Sequence, residues 1–262
     1  MKKIGILILS LSIYLISCED GGDGKRVLIS GNVDDTAATV LAIIDGSEVD
    51  SDVTDNDGDF RLRVPSEFSD VELQFETNQF DAETIISITP DSEVIFDVSL
   101  APGLVSILNF QIFQNRIRIS GNDTFIFTET EADFIIDGKG SDCIIAKGNS
   151  IIDISVDNIT LADCGEGIRA VKNSDVLLET TLDINITAFS NGVRGEDNSF
   201  VSLTSNNSIF ISSDNDNGIR TTGNSSVIVD PTTACTIFGG ENAISEGGNS
   251  NIEADGCSLA SG

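Results

Sequence analysis

Short runs of alternating hydrophobic and polar residues follow one another along almost the whole chain. They are rich in Val, Ile, Leu and Phe, and they end at Gly, Asp, Asn or Ser. No stretch beyond the first twenty residues shows the three- to four-residue spacing of an amphipathic helix. Because a two-residue period is that of half-buried strands joined by turns, the pattern predicts an all-β protein.

Residues 26–100 contain six such runs of strand length. Six or seven short strands in about 75 residues are typical of a small antiparallel sandwich. We therefore predict a small antiparallel β-sandwich over residues 26–100. The six runs are RVLISGNV, ATVLAII, DFRLRV, VELQFE, TIISI and EVIFDVSL.

Residues 101–262 contain a repeated phrase, NGIRTTGNSSVIV in the copy that begins at Asn217. Successive copies begin 24 to 27 residues apart. A period in the twenties, with several short strands in each unit, is typical of a solenoid whose units stack on one another. We therefore predict a right-handed parallel β-helix of about six coils. The copies begin at Asn115, Asp142, Glu166, Asn191, Asn217 and Asn242.

Equivalent residues of neighbouring coils should lie about 4.8 Å apart and form columns along the stack. The third position is aliphatic in every copy, so we expect it to point inward; it is Ile117, Ile144, Ile168, Val193, Ile219 and Ile244. The eighth position is always Asn, which predicts an inward ladder of side chains hydrogen-bonded along the stack at a tight turn. This ladder comprises Asn122, Asn149, Asn173, Asn198, Asn224 and Asn249.

The position after the inward aliphatic residue should point outward, and it carries arginine in four of the six copies. Arg118, Arg169, Arg194 and Arg220 are half of the eight basic residues in residues 101–262. Two interpretations remain open. Either the guanidinium groups neutralise neighbouring acids, in surface pairs worth at most about 1 kcal/mol each, or they form a row that binds the carboxylates of a polymer.

The charge of the chain narrows the range of partners. With 43 acidic and 14 basic side chains, the net charge is −29, and a nucleic-acid partner is not expected because phosphate binding needs a basic surface. Histidine and Trp are absent, and the single Tyr lies in the first eighteen residues. The usual neutral-pH proton carrier and the Trp and Tyr platforms of many sugar-binding modules are therefore missing.

The first eighteen residues have the pattern of an export signal. Two lysines precede an apolar run that is too short to cross a bilayer comfortably. The run ends in Leu-Ile-Ser-Cys18, which resembles the lipobox of bacterial lipoproteins, whose cysteine becomes the lipidated N-terminus. This resemblance implies a signal peptide over 1–18, lipidation at Cys18, a tether over 19–25, and anchoring to the bacterial outer membrane at the cell surface. Contact with the membrane is expected through this anchor only.

The turn TDNDGDF, from Thr54 to Phe60, resembles the T-D-x-D-G-x-F signature of carboxypeptidase-regulatory-like, prealbumin-type β-sandwich domains. The resemblance implies a spacer or stalk module over residues 26–100. Asp55, Asp57 and Asp59 also have the alternation of a calcium loop, but the Gly and Glu of an EF-hand are not in place. Asp and Gly form tight hairpin turns without metal, and we expect that role here.

The segments NGVR at Asn191 and NGIR at Asn217, with EGIR at Glu166, resemble the D-G-I-R rungs of a carbohydrate-binding β-helix family related to polysaccharide lyases. The resemblance covers about residues 105–262. It implies polysaccharide binding, with calcium as a cofactor and an acidic glycan such as pectin as ligand. Since the family's Asp is Asn in two rungs, calcium ligation at those rungs is not expected.

Lyase activity is the enzymatic alternative. In a β-helix lyase a Lys or Arg removes the proton next to a uronate carboxyl, and calcium on clustered Asp neutralises that carboxyl. Arg194 or Arg220 would be the base, with Asp214 and Asp216 as metal ligands. The regular arginine column argues for binding rather than catalysis, and a structural or adhesive stalk that binds a protein is the other alternative.

Four further cysteines and the end of the chain complete the sequence predictions. Cys235 and Cys257 align in successive coils, so they are either a disulfide or a pair of stacked buried thiols. Cys143 and Cys164 occupy different positions of the repeat, and a bond between them is not expected.

The sequence stops within the sixth coil. This suggests truncation or, because the sheet edge would be open, end-to-end self-association.

Overall fold

The computed structural model describes residues 26–34, 37–65, 70–87, 92–114, 116–129 and 131–262. Every regular element in these residues is a β-strand, as predicted, and none of them forms a helix that could cross a membrane. The export signal, Cys18, the tether and Asn115 lie outside the described residues.

Eight strands form the N-terminal sandwich. One sheet has the order β3-β2-β5-β6 and the other the order β4-β1-β7-β8. All pairings are antiparallel except that of β1 with β7, which is parallel. The predicted antiparallel sandwich is therefore a mixed one, with two strands more than the six runs. The bounds are β1 (Arg26–Val33), β2 (Thr39–Ile44), β3 (Ser47–Val53), β4 (Asp59–Pro65), β5 (Asp70–Glu76), β6 (Asp81–Ser87), β7 (Glu93–Ala101) and β8 (Leu104–Gln114).

Aromatic side chains fill the space between the two sheets. Phe60 contacts Phe75 and Phe96 edge-on, with ring centroids 6.2 and 5.7 Å apart. All three are buried. Edge-to-face pairs of this kind contribute about 0.5–1.5 kcal/mol beyond the apolar area that they bury.

The turn before Phe60 is held by its own carboxylate. Oδ1 of Asp55 accepts hydrogen bonds from the backbone N–H groups of Asp57 and Asp59, at 2.9 and 3.0 Å. Gly58 adopts φ +85°, where a side chain would also meet the carbonyl of Val33. Since Asp55 is used in this way, the structure favours the turn interpretation of the TDNDGDF segment over the calcium loop.

Three parallel sheets form a six-turn β-solenoid between residues 110 and 261. Each coil contributes one strand to each sheet, and the strands of one sheet pair in parallel. The first sheet contains β9 (Ile117–Gly121), β12 (Ile144–Gly148), β15 (Ile168–Val171), β18 (Val193–Glu196), β21 (Asn217–Thr222) and β24 (Asn242–Glu246). The second sheet contains β10 (Thr124–Thr128), β13 (Ile151–Val156), β16 (Asp175–Thr180), β19 (Phe200–Ser205), β22 (Ser226–Pro231) and β25 (Asn251–Glu253). The third sheet contains β11 (Ala132–Asp137), β14 (Asn158–Cys164), β17 (Ile184–Ala188), β20 (Ser208–Ser213), β23 (Ala234–Gly239) and β26 (Ser258–Ser261).

The third sheet continues without a break into the sandwich. Strand β8 pairs in parallel with β11 and antiparallel with β7, so a single ten-stranded sheet runs from β26 to β4. Phe110 of β8 packs against Phe96 of the sandwich, with ring centroids 5.8 Å apart. The hydrophobic residues of both parts consequently form one continuous core.

The predicted inward column lies in the core of the solenoid. Ile117, Ile144, Ile168, Val193 and Ile219 are at most 3% exposed, and Ile244 is partly buried against them. The strand registers place each of these residues beside its equivalent in the next coil. A single coil cannot bury such a row, so the core exists only because the coils stack.

Two disulfides form in the solenoid. Cys235 bonds to Cys257, with Cα atoms 4.4 Å apart, which fixes β23 to the residue that precedes β26 in the last coil. Cys143 bonds to Cys164, with Cα atoms 5.5 Å apart, although the repeat alignment argued against this pair. The register of β14 with β17 shifts between Leu161 and Cys164, and this irregularity moves Cys164 out of its expected position.

Candidate functional site

The arginine column lies on the outer surface of the first sheet, as the repeat predicts. Strand pairing sets Arg169 beside Arg194 and Arg194 beside Arg220. Ile145 separates Arg118 from Arg169, and Ser245 follows Arg220. The column therefore contains three consecutive arginines and one that stands apart.

Arg194 is held between two glutamates. Its Nη1 donates to Oε1 of Glu166 at 2.9 Å, and its Nη2 donates to Oε1 of Glu196 at 2.5 Å. Glu196 shares the outer surface of β18 with Arg194 because residues two apart on a strand point the same way. The guanidinium of Arg194 is thus fully occupied on two sides by carboxylates of its own chain.

Arg169 shares the same two glutamates more loosely. Its Nε lies 3.5 Å from Oε2 of Glu166, and its Nη2 lies 3.7 Å from Oε2 of Glu196. A third carboxylate, that of Asp142, lies 4.0 Å from Nη1. Two arginines and three acids therefore form one network across three coils, with more negative than positive charge.

The ion pairs change the acidity of Arg194. Partial burial acts to lower its pKa, but the hydrogen bonds that Arg194 donates to Glu166 and Glu196 outweigh burial and raise the pKa above the ordinary value of arginine. A general base has to be unprotonated near neutral pH in order to accept a proton. The environment of Arg194 therefore opposes its use as the base of a lyase.

Glu166 also ends a ladder of buried amides. The Nδ2 of Asn191 donates to Oε1 of Glu166 at 3.1 Å, Asn217 donates to Asn191, and Asn242 donates to Asn217. Asn191, Asn217 and the side chain of Glu166 are all less than a tenth exposed. Because a buried carboxylate needs a counter-charge, Arg194 and Arg169 have a structural reason to recur beside it.

Arg220 lacks both of the acids that occupy Arg194. Thr222 stands in the position of Glu196, and Asn191 of the preceding coil stands where Glu166 stands for Arg194. Within the part of the chain that the structure describes, Arg220 forms no ion pair, and neither does the exposed Arg118. These two guanidinium groups are the ones that remain open to a ligand.

The asparagine ladder of the eighth position forms, but it lies on the outside of its turn. Its members are exposed, and each donates its Nδ2 to the Oδ1 of the equivalent residue in the preceding coil, as Asn198 does to Asn173 at 3.1 Å. The prediction of an inward ladder was wrong. The inward position belongs to the following serine: Ser174, buried completely, accepts from the N–H of Val171 and donates to the carbonyl of Ala146.

The predicted metal ligands Asp214 and Asp216 have different surroundings. Asp214 is exposed. The carboxylate of Asp216 accepts from Asn217 at 2.6 Å and from Asn191 and Ser190 at 3.3 Å. Among the described residues no three metal-binding side chains converge on one point.

Sequence analysis predicted the arginine column and left open that neighbouring acids neutralise it, but it did not identify Glu196 as a partner. The signal for Glu196 was present in the phrase VRGE, because a two-residue spacing on a strand puts both charges on one surface. The role of Glu166 was harder to predict from the sequence. Its position reads Asp, Glu, Asn, Asn, Asn in successive coils, which does not reveal that its side chain is buried.

Comparisons with known proteins add no relatives to this description. No protein-family model matches the chain, and no curated protein and no solved structure is significantly similar to it. The fold and the site together define an all-β protein with a six-turn β-solenoid that carries a mixed row of arginine and glutamate on one sheet.

Proposed function

We propose that the protein binds polysaccharide along the outer surface of the first sheet, and that an acidic glycan is held by Arg220 and Arg118. The observation that carries this proposal is the state of Arg220. Its guanidinium is partly exposed, it adjoins Arg194 in register, and no acid among the described residues pairs with it. A planar guanidinium in this state is suited to bind a carboxylate through two hydrogen bonds.

The membrane anchor, the N-terminal module and the type of solenoid belong to the same proposal. The chain is an exported lipoprotein anchored through Cys18 at the surface of the outer membrane. Its N-terminal module is a prealbumin-type spacer, and its solenoid is a right-handed parallel β-helix of the carbohydrate-binding kind, the hand that parallel crossover connections almost always take. The spacer would raise the glycan-binding sheet away from the membrane.

The proposed site is smaller than a continuous row of four arginines. Arg169 and Arg194 neutralise Glu166 and Glu196, so they add little net attraction for a polyanion. Arg118 stands four coils from Arg220, which corresponds to about 19 Å along the stack. An acidic chain that contacts both must therefore run parallel to the solenoid axis.

Binding without cleavage fits the site better than lyase activity. The raised pKa of Arg194 argues against one of the two candidate bases, and among the described residues no cluster of acids near Arg220 could hold a cation. A stalk that binds a protein partner remains the second candidate function. It would use the same elongated solenoid without needing the open arginines.

Retention on polygalacturonate tests the proposal, with the methyl-esterified polymer as a matched uncharged control. Each is assayed with calcium and with a chelator, while the absorbance of unsaturated product is followed in the same samples. We expect the acid form to retain the protein and the methyl-esterified form not to retain it. We expect no unsaturated product with either polymer. Absence of retention on the acid form would contradict the proposal, and accumulation of product would establish a lyase instead.

A further inference from the structure

Two adjacent columns on the outer surface of the third sheet carry no charged side chain, one from β14 and the other from β17 as far as β26; Asp163 and Asp137 precede the second column. The strand registers align Thr160, Asn185, Phe210, Thr236 and Ser258 in one column, and Thr187, Ser212, Phe238 and Ala260 in the next. All nine are partly or fully exposed and alternate with buried residues of the core. In a chain with a net charge of −29, nine neighbouring outward positions without a charge form a distinct surface, which we call the uncharged face.

Two phenylalanines stand at the centre of the uncharged face. Phe210 is 38% exposed, and Phe238 is half-buried. Phe238 lies one coil further along and two residues along its strand, so the two Cα atoms are about 8 Å apart. Two neighbouring aromatic rings give this surface an apolar centre, on which the apolar face of a ligand can pack.

The polar side chains around these rings are free to bind a ligand. Within the described chain, the side chains of Asn185, Ser212 and Thr236 make no hydrogen bond, although they flank Phe210 on both sides. Outside the uncharged face, by contrast, Asp183 accepts bonds from Asn207 and Ser208. The uncharged face therefore combines apolar rings with unused hydroxyl and amide groups.

We propose that the uncharged face is a second glycan-binding site, and that it takes an uncharged polysaccharide. The C–H face of a sugar ring packs on phenylalanine, while its hydroxyl groups need donors and acceptors such as those of Asn185 and Thr236. Acids border the uncharged face on either side, Asp183 before Asn185 and Asp214 after Ser212. These acids repel anionic glycans, so this site differs in ligand from the arginine column of the first sheet.

The experiment is native affinity electrophoresis of the full chain in gels that contain a soluble uncharged glycan: a β-1,3-glucan, a mixed-linkage β-glucan, a mannan or a xylan. The test variant is Phe210→Ala with Phe238→Ala. The control is Phe200→Ala, which removes a partly exposed ring from the outer surface of the second sheet. We expect at least one of these glycans to retard the parent chain, the double variant to bind it about tenfold more weakly, and the control to bind unchanged.

Three results would overturn the proposal. No retardation by any of the four glycans would do so, as would equal retardation of the parent and the double variant. A parent chain that sediments as a dimer, together with a monomeric double variant and no retardation, would assign the uncharged face to an interface between two copies. Since polygalacturonate and the arginine variants probe the first sheet, failure here leaves the proposed acidic-glycan site intact, and failure there leaves this one intact.

Discussion

Arg194 donates a 2.9 Å hydrogen bond to Glu166 in the preceding coil, and so it neutralises the carboxylate that ends a buried ladder of asparagines. The arginines of the repeat therefore have two different surroundings within one column. Where a glutamate precedes it, the arginine serves the fold. Where asparagine and threonine replace the glutamates, as at Arg220, the guanidinium is open to solvent and to ligands.

Arg194→Gln should lower the free energy of unfolding by about 1–3 kcal/mol, because it leaves the buried Glu166 without its closest counter-charge. The value lies below that of a fully buried pair since the Arg194 side chain is 24% exposed. Equilibrium unfolding in guanidinium chloride measures the change. Arg220→Gln is the control and should change stability by less than about 0.5 kcal/mol.

Adding Glu166→Gln to Arg194→Gln should recover part of that loss, because no buried charge then remains unpaired. The recovery appears as a favourable coupling in a double-mutant cycle. Strictly additive effects would mean that the pair contributes nothing and that the arginine column has no structural role at this coil.

Asn198→Ala should destabilise the solenoid more than Asn224→Ala. Both residues belong to the exposed ladder, but Asn198 has φ +65°, a region that asparagine tolerates better than alanine does, and Asn224 is not in this region. We expect a difference of about 1–2 kcal/mol. Asn198→Gly removes the ladder contact without the strain, so it should fall between the parent and the alanine variant; equal losses for both alanine variants would contradict this account.

Asp175→Asn should raise the melting temperature at pH 7 and not at pH 3. Desolvation raises the pKa of Asp175 in the folded state, so the folded chain holds this proton more tightly than the unfolded chain does. The stability that this gives is present below the unfolded pKa and is lost as the pH rises through the folded pKa. Asp153→Asn, from the neighbouring coil, is the charge-matched comparison, and an equal gain at both pH values would rule out the explanation.

Changing both Cys235 and Cys257 to alanine should lower the free energy of unfolding by about 3 kcal/mol. This is the value expected for a disulfide that closes a loop of roughly twenty residues. The measurement is thermal unfolding with and without reductant. Mass spectrometry of an unreduced digest should also recover Cys143 bound to Cys164. Any other pairing of the four cysteines would contradict the register of the coils.

Much of the fold could be predicted from the sequence because the repeat and the alternation of hydrophobic residues determine it. The aliphatic column that includes Ile168 and Ile219, and the outward arginines beside it, follow from the repeat and the alternation of strands alone. Tertiary contacts decided the rest. The repeat did not show that Asn198 lies outside its turn while the next serine lies inside, or that β8 joins the sandwich to the third sheet.

Only part of the candidate site could be predicted from the sequence. The spacing of the repeat placed the arginines correctly, but whether a guanidinium is open depends on residues in neighbouring coils, such as Glu166 for Arg194. The uncharged face was missed for a similar reason. Phe210 and Phe238 occupy different positions of the repeat, so no column of the alignment shows them together.

Open and neutralised arginines stand in one column, and polygalacturonate affinity electrophoresis of four single variants distinguishes them. We predict that Arg220→Gln and Arg118→Gln each weaken binding about fivefold. Arg169→Gln and Arg194→Gln should bind nearly as the parent does, as should Arg61→Gln, which removes an exposed arginine from the sandwich. Equal losses for all four column variants, or no loss for Arg220→Gln, would contradict the account.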